Sequence, residues 1–312
     1  MSNSRSNSTE SSASRKPVVL FAGLGTMGLP MATNLVRAGF DVHGHDANPA
    51  AVEAFARAGG IAVSDAADVA AQADVIVTML PDDAAVVAVL ASDQGLLGRA
   101  RVGSLAIEMS TTSPATKISL AREASARGVG FIECPVGKTV EHAVAGTLTL
   151  MAAGDPELVE GARPMLAAMG NELFVCGDIG AGSTVKLINN ALVACVNAAS
   201  IEALVAARKA NVDLALLMSV FKTTMAWNNA LAIGLPRKAL KRDFAPGFMT
   251  KLAHKDVGLA LAMAKDLDVA MSQGEAAHAL LAQALAEGFG NDDTPGSLLR
   301  VCEARGGVQV TL

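Results

Sequence analysis

The sequence predicts an α/β fold: a doubly wound sheet in the N-terminal part, followed by an all-helical C-terminal part. Three observations predict it. Between Pro17 and Asp178, short apolar runs of strand length alternate with longer amphipathic stretches, the pattern of a doubly wound sheet. Past Asp178 strand signals stop, and helical patterns separated by Gly and Pro take over. At 312 residues, half of them hydrophobic, the chain is long enough to bury two cores.

The elements follow in order. VVLFAG reads as a buried strand, TMGLPMATNLVRAG as a helix closed by Gly39, and DVHGHD as a second strand. VIVTMLP, SLAIEMS, FIECPV, TLTLMAAG and ELFVCGD supply further strands, with helices such as PATKISLAREASARG between several of them. The gap between FIECPV and TLTLMAAG is too short for a long crossover helix, so this pair is expected to depart from strict parallel order. GAGSTVKLINNALVACVNAASIEALVAARKAN then predicts one long helix from near Ser183, at the junction of the two parts. The expected domains are residues 17–178 and 179–312, with the cleft between them as the natural binding site.

Composition excludes several function classes. A net charge of −5 argues against nucleic-acid binding, and 3% aromatic residues with no tyrosine leave little to stack on bases. Cys134, Cys176, Cys195 and Cys302 are far apart and form no CxxC, which suits a reducing compartment. No His/Cys/Asp group has metal-ligand spacing. Charges or glycines are expected to interrupt every apolar run before it could span a membrane. Residues 1–16 are serine-rich without an apolar run, which reads as a disordered tail and a cytoplasmic protein.

Gly23-Leu24-Gly25-Thr26-Met27-Gly28 fits G-x-G-x-x-G after a strand and at the start of a helix. The glycines permit the tight turn, the approach of a pyrophosphate and close helix–strand packing, while the helix N-terminus attracts phosphate. Asp46 follows eighteen residues after Gly28, at the end of the second strand, where a carboxylate accepts from ribose hydroxyls. The N-terminal part is therefore expected to be a Rossmann-type domain. Asp46 repels a 2′-phosphate and Ala47-Asn48-Pro49 offers no arginine, so the expected cofactor is NAD.

On the junction helix, Lys186 and Asn190 are four residues apart and share one face. A buried lysine is a plausible general acid, because desolvation lowers its pKa toward the working pH. Asn190 would hold the same substrate oxygen or orient the lysine. From spacing alone, a surface lysine with a capping asparagine remains an equal alternative.

From about Pro17 onward the chain resembles the β-hydroxyacid dehydrogenase family, in the blocks GLGTMGLPMATNL, MSTTSP, ECPV…AGTLTLMAAG, GAGSTVKLINN and LAHKDVGLAL. The resemblance implies a helical second domain that assembles homodimers or homotetramers, and an oxidoreductase acting on a short 3-hydroxy acid. It implies Lys186 as the catalytic acid/base with Asn190 at the substrate. It places Ser110 and Thr111 beside the nicotinamide, Leu80 and Pro81 at the cofactor, and Lys255-Asp256 near cofactor and cleft.

One block departs. Most of the family reads Pro-Val-Ser-Gly-Gly where this chain has Pro135-Val136-Gly137-Lys138-Thr139. A pattern of Gly, basic residue and Thr is similar to that of sulfolactaldehyde reductases, which implies a sulfonate held by Gly137, Lys138 and Thr139. A lysine point charge suits a tetrahedral anion with three acceptor oxygens. The alternative is a solvated turn lysine. The expected substrate is thus a small anion: a sulfonated semialdehyde, or else a carboxylate such as 3-hydroxyisobutyrate or tartronate semialdehyde. A noncatalytic nucleotide-binding module is the rival of a different class. His142 and His254 could touch a polar substrate but are more ordinary as packed or surface residues.

Overall fold

The computed structural model describes residues 16–311, so the tail expected over residues 1–16 lies, but for Lys16, outside the described residues. The N-terminal part runs β1 (Val18–Ala22), α1 (Gly28–Arg37), β2 (Asp41–His45), α2 (Pro49–Arg57), β3 (Ile61–Ala62), α3 (Ala66–Ala70) and β4 (Val75–Thr78). It continues with α4 (Asp83–Leu90), α5 (Leu96–Arg99), β5 (Leu105–Glu108), α6 (Pro114–Ala126), β6 (Gly130–Glu133) and β7 (Val136–Gly137). Then come α7 (Val140–Ala145), β8 (Leu148–Gly154), α8 (Pro156–Met169) and β9 (Gly170–Val175). Three of these helices begin with proline after a capping Asn48, Ser113 or Asp155, whose side chain accepts a first-turn N–H. That pairing satisfies one orphan donor and places proline where no N–H is needed.

The strands form one sheet in the order β3-β2-β1-β4-β5-β6-β8-β7, with β9 added on β8. The strands from β3 to β6 pair in parallel. β8 runs antiparallel to β6 and β7 but parallel to β9. The short gap before β8 admits only the six-residue α7, too little for a long right-handed crossover, so the strand returns antiparallel.

The central strands are apolar on both sides, as a sheet covered by helices requires. Val19 and Phe21 of β1 pack with Met31 and Leu35 of α1 and Met165 and Leu166 of α8. The alternate residues Leu20 and Ala22 pack with Val86 and Leu90 of α4 and Leu120 of α6.

The C-terminal part is helical: α9 (Ala181–Lys209), α10 (Leu214–Lys222), α11 (Leu235–Arg237), α12 (Thr250–Asp266), α13 (Ser272–Ala286) and α14 (Thr294–Gly306). Ile201 and Leu204 of α9 form its core with Val257 of α12, Leu281 of α13 and Leu298 of α14. One expectation is corrected here. By length and composition α9 is apolar enough to cross a membrane. It is the central helix of this packed core, which explains its hydropathy. Its other face leaves Val185, Ile188, Leu192 and Val193 exposed.

Candidate functional site

The order of the strands reverses between β1 and β4, and ligands of such sheets bind beyond the carboxyl ends of the strands at that point. The turn from β1 to α1 lies there. Gly23 has φ +99°, and a Cβ on it would lie 2.3 Å from the Met79 carbonyl oxygen. A Cβ on Gly28 would lie 1.9 Å from the Gly23 carbonyl oxygen, so helix and turn touch backbone to backbone. Gly25 has open space where its Cβ would be. Met27, which opens α1, provides no side-chain cap. The Leu29 N–H returns to the Gly25 carbonyl at 3.0 Å and Pro30 has no N–H, so it is the positive end of the helix dipole that the turn offers to an anion. Beside them is a groove of about 400 Å³ lined by Leu24, Gly25, Thr26, Asn48 and Ala51, among others. The described residues thus fit a dinucleotide: open space at Gly25, the N-terminal end of α1 and a groove beside both.

Asp46 holds this region in shape. One carboxylate oxygen accepts the Leu24 N–H at 2.7 Å and the other accepts the Asn48 N–H at 2.7 Å. Leu80 and Pro81 follow β4. The Leu80 N–H donates to the Ser110 hydroxyl at 2.8 Å, which joins the loops after β4 and β5. Ser110 is fully buried, and its hydroxyl oxygen accepts this bond.

A second group of residues gathers from α9, α12 and the loop after β5. Lys186 is buried on the second turn of α9. Burial lowers the pKa of its ammonium; Asp256 opposes the shift and Lys255 adds to it. The Asn190 amide donates to Asp256 Oδ2 at 2.7 Å. Lys255 sits 3.0 Å from Asp256 Oδ1 and also donates to the Thr111 carbonyl. The structure therefore brings together five residues from distant stretches: Thr111, Lys186, Asn190, Lys255 and Asp256.

The Lys138 ammonium is held elsewhere. It donates to the Thr147 carbonyl at 2.9 Å and to Asn171 at 3.3 Å, and lies 3.4 Å from Glu172. Its backbone sits at φ +75°, a region that side-chain-bearing residues avoid. Gly137 pairs with Thr149 of β8, and Thr139 hydrogen-bonds to His142 at 2.9 Å. His254 stacks on His278 with ring centroids 4.0 Å apart, so it belongs to a histidine pair between α12 and α13.

Two buried carboxylates were not singled out from the sequence. Glu108 and Glu133 are register partners at the carboxyl ends of β5 and β6, both fully buried. Glu108 meets the wholly buried Lys117 of α6. Burial depresses the Lys117 ammonium, against the pull of Glu133 and Asp83. Glu133 accepts from the start of α9. The available signal was the charge itself: a glutamate ending each of two apolar strands has no business there without a partner.

Comparison with known proteins adds lineage to this geometry. The family described as the NAD binding domain of 6-phosphogluconate dehydrogenase matches residues 18–177. The family described as NAD-binding of NADP-dependent 3-hydroxyisobutyrate dehydrogenase matches residues 180–301. The chain is 38% identical to 3-sulfolactaldehyde reductase of Escherichia coli K12, over 88% of this chain and 92% of that protein. It is 36% identical to 3-hydroxyisobutyrate dehydrogenase of Pseudomonas aeruginosa, over 88% and 95%. Among solved structures, 3-hydroxyisobutyrate dehydrogenase of Mycobacterium tuberculosis with L-serine superimposes with a TM-score of 0.84 at 31% identity, covering 92% of this chain and 99% of that one.

Proposed function

This chain belongs to the β-hydroxyacid dehydrogenase family, NAD-dependent enzymes acting on CH–OH groups, and we propose that its substrate is a three-carbon semialdehyde bearing a sulfonate. The reaction is read as the interconversion of sulfolactaldehyde and 2,3-dihydroxypropane-1-sulfonate. The observation that carries this reading is Lys138 in the turn after β7, a cation where most of the family is expected to have serine and glycine. The ion pair with Glu172 is solvent-exposed and therefore weak enough to yield to a substrate anion. A carboxylate substrate, 3-hydroxyisobutyrate or tartronate semialdehyde, is the second reading, favoured by the 36% identity to a 3-hydroxyisobutyrate dehydrogenase.

Bound nicotinamide supplies or removes the hydride. The chain's own groups manage the rest. Lys186 donates its proton to the carbonyl oxygen in reduction and accepts it back in oxidation, a role suited to a lysine whose pKa burial has lowered. Asn190, with one amide hydrogen given to Asp256, offers the other to the same oxygen. Lys255 ties α12 to the Thr111 loop and so holds the cleft together beside the cofactor. Gly137, Lys138 and Thr139 take the far anion, which orients the reacting carbon.

The cofactor is read as NAD rather than NADP. Supporting this reading, Asp46 is a carboxylate following β2, where such a group would repel a 2′-phosphate, and Asn48 and Ala51 line the adjoining groove without a cation. Val185, Ile188, Leu192 and Val193 give the homo-oligomer reading its support, since an apolar helix face of this kind suits a second copy of the chain.

The deciding experiment measures kcat/KM with NADH on sulfonated and carboxylated three-carbon semialdehydes in parallel. A clear sulfonate preference is expected. A preference for the carboxylate would replace the first reading with the second.

A further inference from the structure

Glu133 ends β6 beside Glu108 of β5, but the two carboxylates serve different parts of the molecule. Glu108 stays within the sheet part, accepting the Ser110 N–H at 2.9 Å and meeting Lys117. Glu133 reaches across the junction. Its Oε1 accepts the Gly180 N–H at 2.6 Å and the Gly182 N–H at 3.0 Å. Its Oε2 accepts the Ser183 N–H at 3.2 Å and also the Ser183 hydroxyl.

These donors are the start of α9. The helix opens at Gly180, which has φ +101° and no side chain to cap with. An α-helix leaves its first N–H groups without internal partners. Here a carboxylate from another element takes three backbone N–H groups and one hydroxyl. The seat is also tight: a Cβ on Gly182 would lie 2.4 Å from the Met151 carbonyl oxygen of β8 and 3.3 Å from the Glu133 carboxyl carbon. Apolar packing alone would let the helix slide or rotate, because it is not directional. Four hydrogen bonds divided between two oxygens fix both depth and rotation.

Lys186 lies three residues after Ser183, hence on the same side of the same rigid helix. We infer that Glu133 is a positioning residue for the proton donor, anchoring the start of α9 to the end of β6 and so setting how deep Lys186 sits in the cleft. The inference rests on the reading of Lys186 as that donor. Depth governs the chemistry in two ways. It places the ammonium against the reacting oxygen, where a displacement of about 1 Å costs up to roughly 100-fold in rate. It also keeps water away from the ammonium, the first cause of its lowered pKa, with Asp256 and Lys255 of α12 as the charged groups bearing on it.

The test uses Glu133→Asp, which keeps the charge but shortens the reach by one methylene, and Ser183→Ala, which removes one of the four bonds. Thermal midpoint, NADH dissociation constant, and the pH profile of kcat for reduction are measured for each, with Lys186→Ala alongside. Expected is a fall in kcat of about 10- to 100-fold for Glu133→Asp and a smaller fall for Ser183→Ala, with NADH affinity kept. The alkaline limb of reduction should move to higher pH in both, because a less buried lysine holds its proton longer. A lower midpoint with unchanged kcat and an unmoved limb would make Glu133 an ordinary helix cap and overturn the inference. If Glu133→Asp does not fold, Ser183→Ala decides by the same limb. Lys186→Ala at near-normal turnover would overturn the underlying reading and this inference with it. An inactive Lys186→Ala beside unaltered profiles for the other two would overturn the positioning role alone.

Discussion

Asn190 of α9 and Asp256 of α12 are joined by a 2.7 Å hydrogen bond, and the other oxygen of that same nearly buried carboxylate faces Lys255 at 3.0 Å. One side chain thus orients two candidate site residues at once. Asp256→Ala releases both partly buried side chains from the carboxylate that orients them. A charge-assisted hydrogen bond of this kind is worth about 1.5–3 kcal/mol, so kcat/KM should fall roughly 10- to 150-fold. Asp256→Asn keeps an oxygen to accept from Asn190 and should lose less. Steady-state kinetics on the two variants checks the order.

Lys186→Ala should reduce turnover by about 100-fold or more while NADH still binds. The pH dependence has a definite sign. Because burial lowers the lysine pKa below 10.5, reduction should decline as pH rises through that lowered value, and oxidation should climb over the same range. Parallel pH profiles of kcat in the two directions make the comparison; limbs of the same sign would contradict the assignment.

Asp46→Ala should weaken NAD binding and relax discrimination against NADP, as the repelling carboxylate goes. The Leu24 and Asn48 N–H groups each lose the carboxylate oxygen that accepts them, so affinity for both cofactors should drop somewhat. The ratio of kcat/KM for NAD and NADP is the measurement. A wild-type ratio that already favours NADP would show the reading of Asp46 to be wrong.

Lys138→Ala should lower kcat/KM about tenfold or more on the preferred anionic substrate and much less on an uncharged short aldehyde. Glu172→Gln frees Lys138 from its exposed partner and should improve KM for the anion by a few-fold at most, since such pairs are weak. Equal losses on charged and uncharged substrates in Lys138→Ala would make the lysine structural.

Lys117→Met should destabilise the fold strongly, because it strips the fully buried Glu108 of its ionic partner and frees the Ser110 carbonyl held at 2.9 Å. Removing one member of a buried pair costs about 3–5 kcal/mol. Replacing both, as Glu108→Gln with Lys117→Met, should restore much of the loss. Thermal unfolding of the single and double variants reads this directly.

Much of the fold was legible because its signals are local. Apolar runs such as VVLFAG carry their own strand signature, and the glycine turn with Asp46 after the next strand is a short-range pattern. The antiparallel β8 followed from counting the residues before it. The two-residue β3 escaped notice because Ile61–Ala62 is too short to show alternation. Beyond the glycine turn and the residues named through the family resemblance, candidate site residues could be picked out where spacing puts them on one face, as with Lys186 and Asn190. Asp256 meets Asn190 only through the packing of α9 on α12, and Glu133 meets Ser183 only through the closure of sheet on helix; neither leaves a periodicity. Ser110, named through the family resemblance, also links the loops after β4 and β5 by accepting the Leu80 N–H, a contact between distant stretches that no local pattern announces.

The left-handed backbone of Lys138 has a bearing on how this protein could be engineered. A side chain at φ +75° carries a penalty of about 1 kcal/mol that glycine would not. A screen for heat tolerance would therefore favour Lys138→Gly, and in the same step it would delete the cation read as gripping the substrate. Robustness and selectivity pull this position in opposite directions. A directed-evolution campaign that scores only the melting point should drift, at this residue first, toward a sturdier but less discriminating enzyme.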